Sequence, residues 1–267
     1  MKKYSYVEPG QLLNPTAPMP VLFEVQFYDS IYELPMRRLN EFNIHLTQDA
    51  GIEATLGGFD ERMRAIDMAL SSGNMENAMR ERYNSRLGLH LMFEHISTKA
   101  RALADVVYSI NGKPVASRTE DEMMEVHNLL IIWMSEAQAT EVASELKKKF
   151  NGELGVSFPG LFPDTEEIEF FINLIRRARL QLDAALYDKV DSNAMAEIDK
   201  WLADQMTPAN FDFSDTNNAV EAARRNFAKI VAGLAMRGIH DAAEQTAYQF
   251  HASIQVIKDN APKQVTQ

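Results

Sequence analysis

The chain has 267 residues, of which 46% are hydrophobic and 24% charged, a balance typical of a globular protein long enough to bury a core. Its formal net charge of −11 disfavours a nucleic-acid-binding surface, because neutralising phosphates requires clustered lysine and arginine side chains. The chain has no cysteine, which excludes disulfides, thiolate metal ligands and cysteine nucleophiles.

Residues 1–20 are predicted to form an extended, proline-rich arm. Their four prolines each forbid helix at their own position and disfavour it in the residue before. Such an arm has no core of its own, so it either stays mobile or lies along a partner surface. Residues 21–28 are rich in aromatic and β-branched side chains, which makes them the one strand candidate, with the start of a helix as the alternative.

The first helix is predicted to begin at Leu34-Pro35, because proline suits the first helical position. Its apolar face repeats at helical spacing up to Gly51. Gly57-Gly58 is interpreted as a break, after which Asp60 caps a second helix.

The longest predicted element covers residues 74–110, with Asn74 as its cap and Asn111-Gly112 as a left-handed stop. Apolar side chains return along it at spacings of three and four, which predicts one long helix, or two helices broken near Gly88. At 1.5 Å per residue a single helix would span roughly 50 Å, so the rest of the chain would pack along it.

The next helix begins at Ser117 or Thr119, since both have capping-box spacing to a glutamate, and it either continues past Ser135 or breaks there. Residues 151–163 are predicted to form a glycine- and proline-rich loop with apolar anchors.

A strong helix is predicted over residues 164–187, followed by helices over 191–206, 216–237 and 241–259. In the helix at 164–187 the apolar side chains repeat at helical spacing and are predicted to be buried. They are Ile168, Phe171, Ile172, Ile175, Leu180, Leu182 and Leu186.

We therefore predict an all-α fold, a multi-helix bundle with a long central helix, an extended N-terminal arm and at most one short strand. Four segments follow along the chain. They are the arm at 1–20, a helical subdomain at 21–150 built around the helix 74–110, the loop at 151–163 and a C-terminal helical subdomain at 164–267. One domain and two domains are both compatible with this division.

No motif predicts an active site. His90 and Glu94, with His95 beside them, could begin a zinc or di-iron site, because residues four apart share one helix face. The order His-x-x-x-Glu-His matches neither the zincin nor the di-iron pattern, however, and no second motif completes the ligand set. The acidic residues at 164–169 are interpreted as complementing a helix N-terminus. We predict no catalytic, cofactor-binding or metal-binding residue, no cofactor and no enzymatic activity.

The block LPMRRLNEFNIHLTQDAGI at residues 34–52, followed by the helix that Asp60 begins, resembles a pattern in uncharacterised helical structural proteins of tailed bacteriophages. The resemblance covers about residues 34–70. Such proteins tend to be acidic, cysteine-free and helical, and they lie among head-completion and tail genes. The resemblance implies a component of the virion, assembled in the host cytoplasm, at the head–tail connector or tail. It implies no functional residues.

We therefore expect a structural subunit of a tailed-phage virion that acts through oligomeric assembly. Its partners would be other virion proteins and copies of itself, contacted through the arm and the loop residues 158–162. Nucleic acid is not an expected partner, because the net charge is −11. A membrane is not expected either, since the longest uncharged apolar run, 129–134, falls far short of the roughly 20 residues that span a bilayer. The alternatives are a virion assembly chaperone or scaffold, and a helical metalloenzyme around His90, Glu94 and His95.

Overall fold

A computed structural model describes residues 1–7, 22–52, 56–115, 119–162, 165–187, 191–205 and 207–260. Within these described residues the chain is mostly helical, with ten α-helices and one antiparallel sheet of four strands. The elements in chain order are β1 Lys2–Val7, β2 Leu22–Phe27, α1 Met36–Ile52, α2 Leu56–Ser71, α3 Met75–Phe93, α4 Thr98–Asp105, β3 Val107–Ile110, β4 Lys113–Pro114, α5 Glu120–Trp133, α6 Glu136–Ser157, α7 Thr165–Tyr187, α8 Ser192–Gln205, α9 Ala219–Ala235 and α10 Ala247–Asp259.

The prediction of an all-α fold with at most one strand is wrong, because the described residues include a four-stranded sheet. Its order is β1-β2-β3-β4, and each neighbouring pair is antiparallel. The strand predicted at 21–28 is confirmed as β2, and its partners are β1 on one side and β3 on the other. Residues 2–7 of the predicted arm are therefore a paired strand, whereas residues 8–20 of that arm lie outside the described part of the chain.

The prediction of one long helix over 74–110 is wrong, since two helices and a strand occupy this segment. Asn74 does cap α3, because its side chain accepts a hydrogen bond from a first-turn N–H at 3.1 Å. The alternative of a break near Gly88 is also wrong, because α3 runs through this residue. The break comes later, where His95 adopts a left-handed φ of 54° and Ser97 caps α4.

Asn111-Gly112 forms the turn between β3 and β4 rather than the predicted helix stop. Their φ angles of 48° and 74° are both positive, as in the two-residue turns that match the twist of a hairpin. Asn111 also pairs with β2, since its N–H donates to the Glu24 carbonyl at 2.8 Å and its Oδ1 accepts from the Glu24 N–H at 2.9 Å. The segment before this turn, which includes the β-branched residues Val107 and Ile110, is the strand β3.

Replacing Gly112 by alanine tests the turn. An L-residue in the left-handed region costs about 1 kcal/mol, so we expect the free energy of unfolding to fall by that amount. The added Cβ would meet no atom within 4 Å, which leaves backbone strain as the cause. Gly152, inside α6, is the matched control, since a Cβ there also meets no atom within 4 Å.

At Gly152, alanine should raise the free energy of unfolding by roughly 0.5–1 kcal/mol, because it is the better helix former. Denaturant titration of the Gly112→Ala and Gly152→Ala variants measures both effects. Shifts of the same sign in the two variants would contradict the assigned backbone conformations.

Two helix boundaries in the first half follow the predicted signals in different ways. α1 begins one residue after Pro35 and ends near Gly51, as predicted. α2 begins at Leu56, however, so Gly57-Gly58 lies in its first turn and is not a break, and Asp60 is not its cap.

The capping residues of α5 and α6 settle two ambiguous boundaries. Thr119 and Glu122 form the capping box of α5, while Ser135 and Gln138 form a second one at the start of α6. The chain therefore breaks at Ser135. α6 continues to Ser157, so the predicted loop at 151–163 is shorter than expected. The division into two helical subdomains stays a prediction.

The core is a continuous cluster of buried apolar side chains from β2, α1, α4, α5, α6, α9 and α10. Phe42 of α1 and Phe150 of α6 meet edge to face in it, with ring centroids 5.8 Å apart. Backbone bonds also join the start of α1 to that of α10, since the Met36 N–H donates to the Gln245 carbonyl and the Ala247 N–H to the Leu34 carbonyl, each at 2.8 Å. A smaller buried cluster comprises Ile44, Ile52, Leu91, Phe211 and Val220.

Candidate interaction surface

The helices α7 and α8 pack against each other as a hairpin. Across it, the Arg177 Nε donates to the Asp199 Oδ1 at 2.6 Å, and Ile198 of α8 is buried. Leu180 and Ala184 are half-buried and lie on the same side of α7 as Arg177, because they follow it at spacings of three and seven. This side of α7 therefore faces α8.

The opposite side of α7 exposes large apolar side chains to solvent. Ile172 is 57% exposed, Ile175 53%, Leu182 58% and Leu186 68%, and we call these four residues the α7 face. The prediction that they are buried is wrong for the single chain. The predicted side chains at 168 and 171 lie outside the described residues. Periodicity predicts correctly that a helix has an apolar face, but it does not predict what covers that face.

The α7 face has the spacing of a coiled-coil seam. With Arg179 its members recur at intervals of three, four, three and four residues, which is the heptad repeat of a helix that packs along another. One flank of the seam carries Arg176 and Asp183, and the other carries Ala178 and Ala185, all exposed. Among the described residues, neither Arg176 nor Asp183 forms an ion pair. The seam therefore offers apolar contact together with unused charge.

A second exposed apolar patch lies at the turn between α2 and α3. Met68 is 71% exposed, Leu70 49%, Met75 62% and Met79 56%, and we call these four residues the Met tip. Methionine side chains are flexible and polarizable, so a surface rich in them adapts to partners of different shape. The Met tip has no seam-like spacing that would specify one partner.

Charged side chains form contacts at both ends of α4, with Lys99 in its first turn and Asp105 at its last residue. The His45 Nδ1 lies 2.7 Å from the Asp105 Oδ2, and the Lys99 Nζ lies 3.3 Å from a carboxylate oxygen of both Asp49 and Glu136. Burial lowers the pKa of Lys99, but these two carboxylates outweigh that effect and raise its pKa above the ordinary value. Because each of these groups has a partner, we interpret the contacts as attaching α4 to α1 and α6 rather than as a reactive site.

His127 of α5 lies beside the start of α4. Its Nε2 accepts a hydrogen bond from the Ser97 N–H at 3.3 Å, which satisfies a backbone donor at the start of α4. Burial lowers the pKa of His127 below its ordinary value, so the ring is neutral and able to accept this bond at pH 7.

The three residues considered as metal ligands do not form a metal centre. His90, Glu94 and His95 are all exposed, and the left-handed backbone at His95 ends the helix on which the other two depend. The described residues contain no group of three or more His, Asp or Glu side chains arranged to hold a metal ion. No specific observation favours the metalloenzyme alternative.

An open cleft of about 870 Å³ lies beside α6, lined by residues that include Lys2, Asp29 and Glu153. Its carboxylates already have partners. Asp29 pairs with the Lys149 Nζ at 3.1 Å, and the Glu153 Oε2 accepts from the Ser30 Oγ at 2.9 Å and from the backbone N–H of the next residue at 2.8 Å. These contacts attach residues 29–31 to α6 and do not indicate a ligand for the cleft.

Comparisons of the chain with protein-family models, with curated proteins and with solved structures found no match. In the part of the chain that the structure describes, no helix is both long enough and apolar enough to cross a membrane. The α7 face is the feature from which we infer function.

Proposed function

We propose that the chain is a structural subunit of a tailed-phage virion, at the head–tail connector or tail, that acts by assembling with copies of itself and with other virion proteins. The α7 face carries this proposal, because four large apolar side chains remain more than half exposed in the single chain. Burying such surface is worth about 25 cal/mol per Å², and contiguous exposed patches of this kind mark sites of protein interaction. The resemblance at residues 34–70 supports the choice of a phage particle.

The distribution of burial also suits an assembling subunit. The core cluster fixes a helical body, while the α7–α8 hairpin presents its apolar face outward. The net charge of −11 would keep single copies soluble before they meet, because like-charged molecules repel at long range. Symmetric assemblies use the same surface patch on every copy, and an exposed apolar helix offers such a patch.

Leu182→Asp is expected to weaken self-association by roughly tenfold or more, since assembly would then bury an unpaired carboxylate. Leu182 is 58% exposed in the single chain, so its substitution should leave folding unchanged. Val156→Asp is the matched control, because Val156 is an apolar residue of α6 with 86% exposure. Light scattering over a concentration series compares both variants with the wild type, and an equal effect of the two would contradict assembly through the α7 face.

The virion assignment needs its own experiment. Light scattering and sedimentation of the full chain, with and without a fraction of tailed-phage particles, tests it directly. A discrete oligomer that migrates with particles is the expected result. A protein that stays monomeric and never joins particles would contradict the proposal.

A virion assembly chaperone or scaffold is the second candidate, and the Met tip favours it. A client that changes conformation during assembly suits an adaptable methionine surface. On this alternative, the chain would form a stable complex with one virion protein and be absent from finished particles. Replacing Met68 and Met75 by glutamine should then abolish that complex, whereas Leu182→Asp should not.

A further inference from the structure

We infer that the α7 face binds the same face of α7 in a second copy of the chain, with the two helices antiparallel. The inference rests on the proposed self-assembly and specifies the contact that performs it. Ile172, Arg179 and Leu186 occupy one core position of the heptad, and Ile175 and Leu182 occupy the other. Two such seams would interlock along about two heptads.

The charges beside the seam select the antiparallel orientation. In an antiparallel pair, each flank faces the equivalent flank of the other copy, whereas in a parallel pair it faces the opposite flank. Arg176 would therefore lie opposite Asp183 of the second copy, and the two-fold symmetry forms this ion pair twice. A parallel pair would instead set this flank against the opposite one, where Asp183 would face Ala178 and form no ion pair.

Arg179, the charged member of the seam, supports the same orientation. A parallel pair would bring the two Arg179 side chains into one core layer, where their like charges repel. In the antiparallel pair Arg179 packs against Leu182 of the second copy, so its aliphatic stem is buried while its guanidinium reaches solvent. Ala178 and Ala185 are small, which allows the backbones to approach closely on that flank.

Such a contact is closed, since the same surface is used on both copies. It produces a dimer, and a larger ring or tube would need a second contact. The Met tip is an exposed apolar surface outside the pair and is available for that contact.

A charge exchange tests the pairing. Arg176→Asp alone would place carboxylates opposite each other, and Asp183→Arg alone would place guanidinium groups opposite each other, so each should raise the dissociation constant of the dimer by roughly tenfold. The double variant should restore the wild-type constant. The two positions lie about 10 Å apart along the helix, so this restoration cannot arise within one chain. Arg86→Asp, at an exposed position of α3, controls for the change in net charge and should have no effect.

Light scattering measures the dissociation constants, and far-UV circular dichroism checks that each variant keeps its helical content. Restoration by the double variant supports the antiparallel pair. If the wild type is oligomeric but the single variants have no effect, or the double variant is not restored, the pairing is overturned while the proposed assembly stands. A wild-type chain that remains monomeric at every concentration overturns both.

Discussion

Replacing Phe42 by alanine is expected to lower the free energy of unfolding by about 3–5 kcal/mol. The Phe42 side chain is fully buried and packs edge to face against Phe150, which is also buried. Truncation removes apolar area and leaves a cavity between α1 and α6, which the close-packed neighbours fill only in part. A loss of this size is a large fraction of the stability of a typical domain, so the melting temperature should fall clearly.

Phe93→Ala provides the matched control, because it makes the same chemical change at a side chain with 73% exposure. Its free energy of unfolding should stay within about 0.5 kcal/mol of the wild type. Denaturant titrations followed by circular dichroism compare the two variants. Similar losses in both would contradict the central place of Phe42 in the core.

Acidification from pH 7.5 to 5 is expected to lower the free energy of unfolding by about 2 kcal/mol through His251 alone. Burial lowers the pKa of His251 from 6.5 to about 4, and its ring lies against Phe162 with the centroids 4.9 Å apart. Because the folded pKa is below the unfolded one, the unfolded chain binds the proton more readily. The contribution to stability is therefore complete above pH 6.5 and is lost as the pH falls towards 4.

His251→Phe should remove this part of the pH dependence, since phenylalanine occupies the same apolar surroundings without a titrating group. His90→Gln is the control, because His90 is exposed and its replacement should leave the dependence as in the wild type. Urea titrations of all three proteins at the two pH values give the comparison. A wild-type slope that persists in the His251→Phe variant would assign the acid sensitivity to other groups.

The starts of α3 and α5 were predictable because they depend on neighbouring residues, whereas α2 begins at Leu56 and α10 at Ala247, away from the predicted positions 60 and 241. Asn74 caps α3, and Thr119 with Glu122 caps α5, as their spacing predicts. In these cases a side chain satisfies a backbone N–H two or three residues away. Such a bond needs no information from the rest of the chain.

The sheet was not predictable in the same way, because its strands pair with remote segments. β2 lies between β1 and β3, and β3 follows it by about eighty residues. Asn111-Gly112 is a favourable signal both for a helix stop and for a hairpin turn, so the turn alone does not decide between them. The pairing of Asn111 with Glu24 of β2 decides it in the folded chain.

The candidate surface was half predictable. The apolar repeat of α7 was evident from Ile172 to Leu186, and the helix itself has the predicted extent. The exposure of this apolar repeat was not evident, because α8 covers only the side of α7 that carries Arg177 and Leu180. The pattern of a buried helix and that of an interface helix are the same until the neighbours are known.

The bonds between the start of α1 and the start of α10 affect how the chain folds during synthesis. Leu34 and Met36 leave the ribosome early, whereas their partners Gln245 and Ala247 leave it late. Until α10 has emerged, the pocket that Phe250 fills stays open, and apolar side chains of the nascent chain are exposed. Translation that stops before α10 should therefore release chains that are prone to aggregation.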